Sequence, residues 1–269
     1  MESLNRKKYD DIFVILTYRN KEDIIELLES IRKNTKNTRT IIVNSYYDDS
    51  TKEEFRIIAQ KYVCDFVPVD NRGYGAGNNA GMRYALEHYD FKRLVISNPD
   101  VEIVTYNQQL LDLCPSGVYA GEITNLNGKQ QNPLRVYDCN FTNDSNYYLL
   151  IKKRRILFYL SVLVAKIQRL ITLKTKKKLI NVFAVHGSFF AISESILKQV
   201  GPFFDEKIFM FQEEIDIAKL FKQKEIPVMF TKYISVIHKE DGDIGMSNMN
   251  HSDLALESCL YIHQKWQNK

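Results

Sequence analysis

The first hundred residues alternate short apolar runs with amphipathic helical patterns, and this rhythm constrains the fold more than any other feature of the chain. Strands are predicted at 12–17, 40–43, 66–69 and 93–97, with helices between them at 21–33, 51–62 and 77–89. A repeat of strand and helix favours a mostly parallel central sheet with helices on both faces. Such sheets bind ligands at the carboxyl ends of their strands.

The second half of the chain is less regular. Strands are predicted at 182–192, 228–230 and 234–237, and helices at 212–224 and 252–265, after a region of turns with a short strand at 115–133. The sequence shows neither an internal repeat nor a low-complexity linker. The simplest partition is one domain over 1–269, with an inserted helical segment at 149–179 and a C-terminal helix at 248–269.

Positive charge is concentrated in one segment. From Ser145 to Ser193 there are ten Lys or Arg residues and no acid, which leaves 27 basic against 33 acidic residues elsewhere. Apolar side chains recur at helical spacing inside this segment, so a basic amphipathic helix is predicted. Its uncharged stretch, 156–165, is shorter than a bilayer span. The helix could lie on an anionic membrane surface, or it could pack on the protein's own core.

Cysteine usage and the first residues indicate the compartment. The cysteines are scattered and none has the spacing of a zinc site or a disulfide framework; they are Cys64, Cys114, Cys139 and Cys259. Residues 1–11 are polar and charged, without the apolar core of a secretory signal. A reducing cytoplasm is therefore expected. The basic segment comes with no recognised nucleic-acid motif, so a nucleic-acid partner is not expected.

Polar loops follow the predicted strands at 17–20 and 98–100, and a glycine-rich run occupies 71–81. Glycines allow a ligand to approach the backbone, and a following helix N-terminus favours an anion. The run fails as a dinucleotide fingerprint because Asn78 stands where the third glycine belongs, and the chain contains no P-loop motif. A glycine-rich turn without any ligand is the alternative.

Acidic side chains supply the candidate chemistry. Asp100, directly after the fourth strand, could hold a divalent cation beside phosphates, although Asn-Pro-Asp is also ordinary turn sequence. Acids at 213–216 open a predicted helix after the aromatic run 209–211. They could simply complement the helix dipole, or burial could raise one pKa toward that of a general base. A lone histidine such as His238 is more often structural than a ligand.

These clusters, in this order, resemble glycosyltransferase family 2, especially its rhamnosyltransferase-like members. The resemblance covers residues 10–105 and 182–247 and implies the GT-A fold, with a Rossmann-like central sheet. The chain departs from the family pattern at Arg19, where the family has asparagine, and at Asn44, where it has an acid. At the acceptor side it carries Glu213-Glu214 where the family usually has Glu-Asp.

The resemblance also implies roles for individual residues. The donor would be bound by Thr17, Tyr18, Arg19, Asn44, Asp49, Asn71, Gly73, Gly75, Asn78 and Asn98. Asp100 would hold Mg²⁺ or Mn²⁺ with His238, and His238 and Ser247 match a late His and Ser near the donor phosphates. Glu214 would be the general base, with Glu213 as the alternative. The acceptor side would contain Gly187, Ser188 and Asp216.

The implied activity is that of an inverting, metal-dependent hexosyltransferase of cell-surface polysaccharide biosynthesis. Its donor would be a UDP- or dTDP-sugar, with rhamnose suggested by the Asn-Pro-Asp form of the metal motif. Its acceptor would be a hydroxyl of a glycan or of a polyprenyl-linked saccharide, reached from the inner face of the cell membrane through 149–179. The alternative is a catalytically silent protein that binds nucleotide sugars or acts as a membrane-tethered scaffold.

Overall fold

A computed structural model describes residues 6–240 and 251–267, so Ser247 and the outer positions of the predicted helix 248–269 lie outside the described residues. The strands are β1 (Lys7–Thr17), β2 (Thr38–Ser45), β3 (Asp65–Val69), β4 (Tyr89–Ser97), β5 (Val101–Tyr106), β6 (Val118–Thr124), β7 (Leu179–Asn181), β8 (Phe189–Ser193) and β9 (Val228–His238). The helices are α1 (Lys21–Asn34), α2 (Asp49–Lys61), α3 (Tyr74–His88), α4 (Gln108–Asp112), α5 (Asn140–Asn143), α6 (Ser145–Leu150), α7 (Arg155–Lys174), α8 (Glu194–Val200), α9 (Glu213–Gln223) and α10 (His251–Gln267).

Within the described residues the strands form one sheet in the order β3-β2-β1-β4-β8-β6-β9-β5, and β7 pairs with β9. Strands β1 to β4 pair in parallel, as does β6 with β9. Strand β8 is antiparallel to β4 and β6, and β5 and β7 are antiparallel to β9. The expected sheet with flanking helices is confirmed. It is mixed rather than mostly parallel, because helical crossovers, which parallel pairing requires, occur mainly in the first hundred residues.

Strand β1 is covered on both faces, which is why its sequence is a continuous apolar run. Phe13 and Ile15 belong to a core cluster that includes Leu27 of α1. Ile12 and Val14 point the other way, into a second cluster formed with α3. Burial on both sides fixes the strand firmly, so the polar residues at its carboxyl end have a defined position.

Several predicted boundaries differ from the structure. Strand β5 was not predicted, and the segments 228–230 and 234–237 are parts of the single strand β9. Of the predicted strand 182–192, only its end belongs to β8. Helix α2 begins before Thr51, because the side chain of Asp48 accepts the Thr51 N–H at 2.7 Å and caps the helix.

Helix α7 occupies most of the basic segment 149–179, whose ends belong to α6 and β7. It has 20 residues, and by length and composition alone it could cross a membrane. The uncharged stretch of the sequence therefore underestimated the length of the apolar helix. Most of α7 is exposed, and its buried residues are Ser161, Ala165 and Thr172.

Candidate active site

A cleft of about 750 Å³ opens at the carboxyl ends of β1, β2 and β4, a size typical of small-molecule sites. Residues from the loops before α3 and α9 form its other walls. The cleft brings together eleven residues that the sequence proposed: Thr17, Tyr18, Asn71, Gly73, Asn98, Asp100, Gly187, Ser188, Glu213, Glu214 and His238. The polar loops that follow separate strands therefore meet at one place.

The pairing of β5 with β9 places Asp100 beside His238. The Lys239 N–H donates to the Asp100 carbonyl oxygen at 3.0 Å, and Val101 lies opposite His238 in the ladder. This register brings the Asp100 Oδ2 to 3.4 Å from the His238 Nε2. Both side chains are buried, and both line the cleft. The pair therefore depends on a strand, β5, that the sequence pattern did not reveal.

A chain of hydrogen bonds behind His238 fixes its ring. The Gln131 Nε2 donates to a carboxylate oxygen of Glu240 at 2.5 Å, which sets the orientation of the Gln131 amide. The Gln131 Oε1 lies 3.0 Å from the His238 Nδ1 and so accepts the proton of that nitrogen. In the neutral ring the lone pair of Nε2 then faces Asp100. Two lone-pair donors pointing at each other suit a cation between them.

The pair Asp100 and His238 fits a metal that is completed by its substrate. Among the described residues no group of three or more His, Cys, Asp or Glu is placed to hold an ion. Mg²⁺ is commonly held by one or two protein carboxylates together with waters and substrate phosphates. A carboxylate and an imidazole at the edge of an open cleft match this pattern, with Mn²⁺ accepting the imidazole more readily than Mg²⁺.

The second acidic group lies at the start of α9. Phe211 and Gln212, directly before it, have φ angles of 74° and 73°, a backbone region that residues other than glycine rarely adopt. Such local strain is concentrated at functional sites. The turn directs Glu213 inward and lets the Gly187 N–H donate to the Glu214 Oε1 at 3.4 Å.

Burial raises the pKa of both carboxyls in this pair. For Glu213 the nearby charge of Glu214 adds to the effect of burial, and its Oε1 finds no hydrogen-bond partner within residues 6–240 and 251–267. Two adjacent carboxyls of this kind favour a shared proton over two negative charges. This is the electrostatic setting in which a carboxylate acts as a base near neutral pH.

Two residues of the cleft were missed by sequence reasoning. The Tyr74 hydroxyl donates to the Gly187 carbonyl oxygen at 2.9 Å, and this contact joins the start of α3 to the loop that holds Glu214. The guanidinium of Arg135 donates to the carbonyl oxygens of Leu134 and Thr142, and burial lowers its pKa to about 10. Nothing in the local sequence marks either residue, since both contacts join distant segments.

With this geometry in place, comparison with known proteins identifies the chain. Residues 12–90 match the model of the family described as glycosyl transferase family 2. The chain belongs to glycosyltransferase family 2. Over 237 residues it is 25% identical to the low-salt glycan biosynthesis hexosyltransferase Agl10 of Haloferax volcanii, an alignment that covers 87% of this chain and 69% of that protein.

Solved structures show that this family 2 chain has the GT-A type of fold. GalNAc-T7, solved with UDP, GalNAc and Mn²⁺, superposes with a TM-score of 0.63 at 12% identity. TarS of S. aureus superposes with a TM-score of 0.56, also at 12% identity. Each superposition covers 96% of this chain, which spans 49% of the GalNAc-T7 chain and 44% of the TarS chain. The chain therefore spans about half the length of these two structures.

The structure places two residues of the family 2 glycine-rich run inside a helix rather than at the cleft. Gly75 and Asn78 belong to α3 and are buried. A Cβ on Gly75 would stand 2.8 Å from the Cβ of Phe204, and the Asn78 Nδ2 donates to the Tyr74 carbonyl oxygen. These positions allow close packing of α3, while Asn71 and Gly73 remain on the cleft wall.

Other proposed donor residues also lie beside the cleft rather than on its wall. The Asn44 Nδ2 donates to the Thr17 Oγ1 at 3.1 Å, and Asn44 is fully buried between β1 and β2. The Arg19 guanidinium stacks 3.6 Å from the ring centroid of Tyr47. Asp49 is the exposed first residue of α2. In this structure only Thr17, among these residues, reaches the cleft.

Asp216, proposed for the acceptor side, is held by the C-terminal helix instead. Its carboxylate accepts from the Lys265 Nζ at 2.8 Å and from the Trp266 Nε1 at 2.7 Å. The side chain is buried and lies away from the cleft. Helical periodicity explains the difference, because a residue two positions after Glu214 faces a different side of α9.

Proposed function

We propose that this protein transfers a hexose from a nucleotide-diphosphate sugar to a hydroxyl group during glycan biosynthesis, with inversion at the anomeric carbon. Family membership supports glycosyl transfer, and the hexosyltransferase relative supports the class of sugar. The observation that carries the proposal is that one cleft holds both the pair Asp100 and His238 and the pair Glu213 and Glu214.

The donor would lie across the carboxyl ends of β1 and β4. Thr17 and Tyr18 line the cleft on the β1 side, and Asn98 lines it after β4. Asp100 and His238 would hold Mg²⁺ or Mn²⁺, which when bound neutralises the charge of the leaving diphosphate. UDP or dTDP would be the nucleotide, and rhamnose is the sugar that the form of the Asp100 motif suggests.

Glu214 would act as the general base. Its carboxylate takes the proton from the acceptor hydroxyl while that oxygen bonds to the anomeric carbon. The bond from the anomeric carbon to the diphosphate oxygen breaks, and its electron pair leaves with the phosphate. A single displacement inverts the anomeric centre. Because burial raises its pKa, Glu214 is a stronger base than an exposed carboxylate, and Glu213 is the alternative base on the same turn.

We also propose that the acceptor is a glycan or a polyprenyl-linked saccharide at the inner face of a membrane. The exposed apolar surface of α7 supports this location. A glycan attached to a lipid stays at the bilayer, so an enzyme that elongates it works at that surface.

The test combines donor binding with turnover. Thermal shift and isothermal titration with UDP- and dTDP-sugars, with and without Mn²⁺, should show metal-dependent binding that Asp100→Ala removes. Glu214→Gln should bind donor normally but lose at least about 100-fold in transfer, the range expected when a general base is removed. Asp49→Ala is the matched control: it removes an exposed carboxylate outside the cleft, and both binding and transfer should stay normal.

The outcomes separate the two function classes. Donor binding without hydrolysis or transfer to any acceptor would favour the silent nucleotide-sugar-binding protein. Full transfer by Asp100→Ala would refute the metal site, and normal transfer by Glu214→Gln would move the role of base to Glu213. Product analysis by NMR reports the anomeric configuration, and retention would exclude the single displacement.

A further inference from the structure

The outer face of α7 is an exposed apolar surface of unusual extent for a protein in water. Ile156 is 76% exposed and Ile171 is 67% exposed, and similar residues fill the turns between them. The exposed large apolar residues of α7 are Ile156, Tyr159, Leu160, Val162, Leu163, Val164, Ile167, Leu170 and Ile171. Contiguous patches of this size mark interaction surfaces.

The inner face of α7 is small or polar, which reverses the pattern of a helix that packs on a core in water. The Ser161 Oγ donates to the Ser145 Oγ of α6 at 2.9 Å, and the guanidinium of Arg169 donates to the Gln130 carbonyl oxygen at 2.6 Å. Near the end of the helix the Lys232 Nζ donates to the carbonyl oxygen of Thr175 at 2.8 Å. The protein's own core therefore does not need the apolar residues of α7.

These inner contacts also set the orientation of the helix. They are spread from Ser161 to Thr175, so α7 lies along the rest of the protein through most of its length. Crossing a bilayer would carry the polar groups that bind this inner face into hydrocarbon, where they have no water to replace lost partners. The contacts favour a helix that lies parallel to a surface.

Both ends of the apolar face are strongly basic. The exposed cations that flank it are Lys152, Lys153, Arg154, Arg155, Lys174, Lys176, Lys177 and Lys178. Within the described residues none of these side chains is in an ion pair with an acid. A second copy of this chain is a poor partner, because basic flanks at both ends would meet basic flanks in either a parallel or an antiparallel arrangement. An anionic surface with an apolar interior complements the whole face.

We infer that α7 docks in the plane of an anionic lipid bilayer, with its apolar residues at the boundary of headgroups and acyl chains and its flanking cations on the headgroups. The inference concerns a binding surface and does not depend on the catalytic chemistry. Polar contacts hold the inner face to the domain, so the helix is displayed as a fixed part of the protein.

Vesicle co-sedimentation of the full chain tests the docking. Wild-type protein should bind vesicles of phosphatidylcholine with 30% phosphatidylglycerol much more than vesicles of phosphatidylcholine alone, and added salt should weaken the binding. The double variant Leu163→Asp/Ile171→Asp should bind at least about 10-fold more weakly. The control Val104→Asp/Leu113→Asp changes equally exposed apolar residues on β5 and after α4 and should bind like wild type.

Further measurements assign each remaining outcome. Thermal melting and donor binding by the double variant should match wild type, so loss of docking is distinct from failure of the proposed activity. The inference is overturned if wild type ignores anionic vesicles, or if the double variant binds them normally. Bound wild type should be released by alkaline carbonate, and resistance would indicate a spanning helix. A wild-type dimer that the double variant dissolves, without vesicle binding, would assign the face to a second copy.

Discussion

Glu213 carries an ionisable group at a place where its charged form is disfavoured. Burial, reinforced by Glu214, raises its folded pKa above the unfolded value. Between those two values the folded state binds more protons than the unfolded state, so stability falls as the pH rises. Glu213→Gln should therefore stabilise the fold by about 1–3 kcal/mol at pH 8 and by much less at pH 4.5. Urea unfolding at both pH values measures this, and an equal effect at both would contradict it.

Gln131 acts on the proposed metal through His238. Its carbonyl oxygen accepts the Nδ1 proton, which leaves the other nitrogen as a ligand. Gln131→Ala should weaken Mn²⁺ binding in the presence of UDP about 10-fold or more, as removal of groups behind a metal ligand commonly does. Titration calorimetry is the measurement. The exposed neighbour on α4, changed as Gln109→Ala, is the control, and unchanged Mn²⁺ affinity in Gln131→Ala would refute the orienting role.

Single residues also show how far sequence reasoning reaches into the site. Asp100 could be proposed because it directly follows a strand, and its position depends on local order alone. Gln131 and Tyr74 could not, because each matters through a contact with a segment far away in the chain. Asp216 was misplaced because the residues that bind it, Lys265 and Trp266, come from the last helix.

The elements of the first half depend on close packing that a pattern of glycines makes possible. A Cβ on Gly81 would lie 2.3 Å from the Cγ1 of Val14 and 2.9 Å from the Cγ2 of Val43. Gly81→Ala should push α3 away from the sheet and destabilise the protein by about 1–3 kcal/mol, in spite of the better helix propensity of alanine. Thermal or urea unfolding tests this, and increased stability would show that the helix can shift freely.

Element prediction succeeded where periodicity is local. Helices between strands made the first half readable, whereas β5 is fixed by its antiparallel pairing with β9, more than a hundred residues later. The apolar segment before β8 looked like a strand, yet the N–H groups of Phe183 and Ala184 donate to the Arg135 carbonyl oxygen and not to the sheet. Such choices depend on tertiary partners and not on residue pattern.

At the scale of the whole molecule, stability and function use different regions of the sheet. Away from the cleft, Asp11 is fully buried and accepts from the guanidinium of Arg93 at 2.7 Å and from the Tyr106 hydroxyl at 2.7 Å. Asp11→Ala would leave the buried Arg93 without this partner and should destabilise the fold by about 3–5 kcal/mol. Urea unfolding measures the loss. Donor affinity at low temperature should stay normal, and a selective loss of affinity would link this network to the cleft.

The inner face of α7 is bonded to Gln130, and the next residue orients His238 at the cleft. A helix resting on a bilayer would thereby hold the reaction centre at a constant height above the lipid, like the fixed arm of a gauge. Sugars closer to or farther from the membrane than that height would be out of reach. The protein would then select its acceptor by the length of the glycan already built as well as by the identity of the terminal sugar.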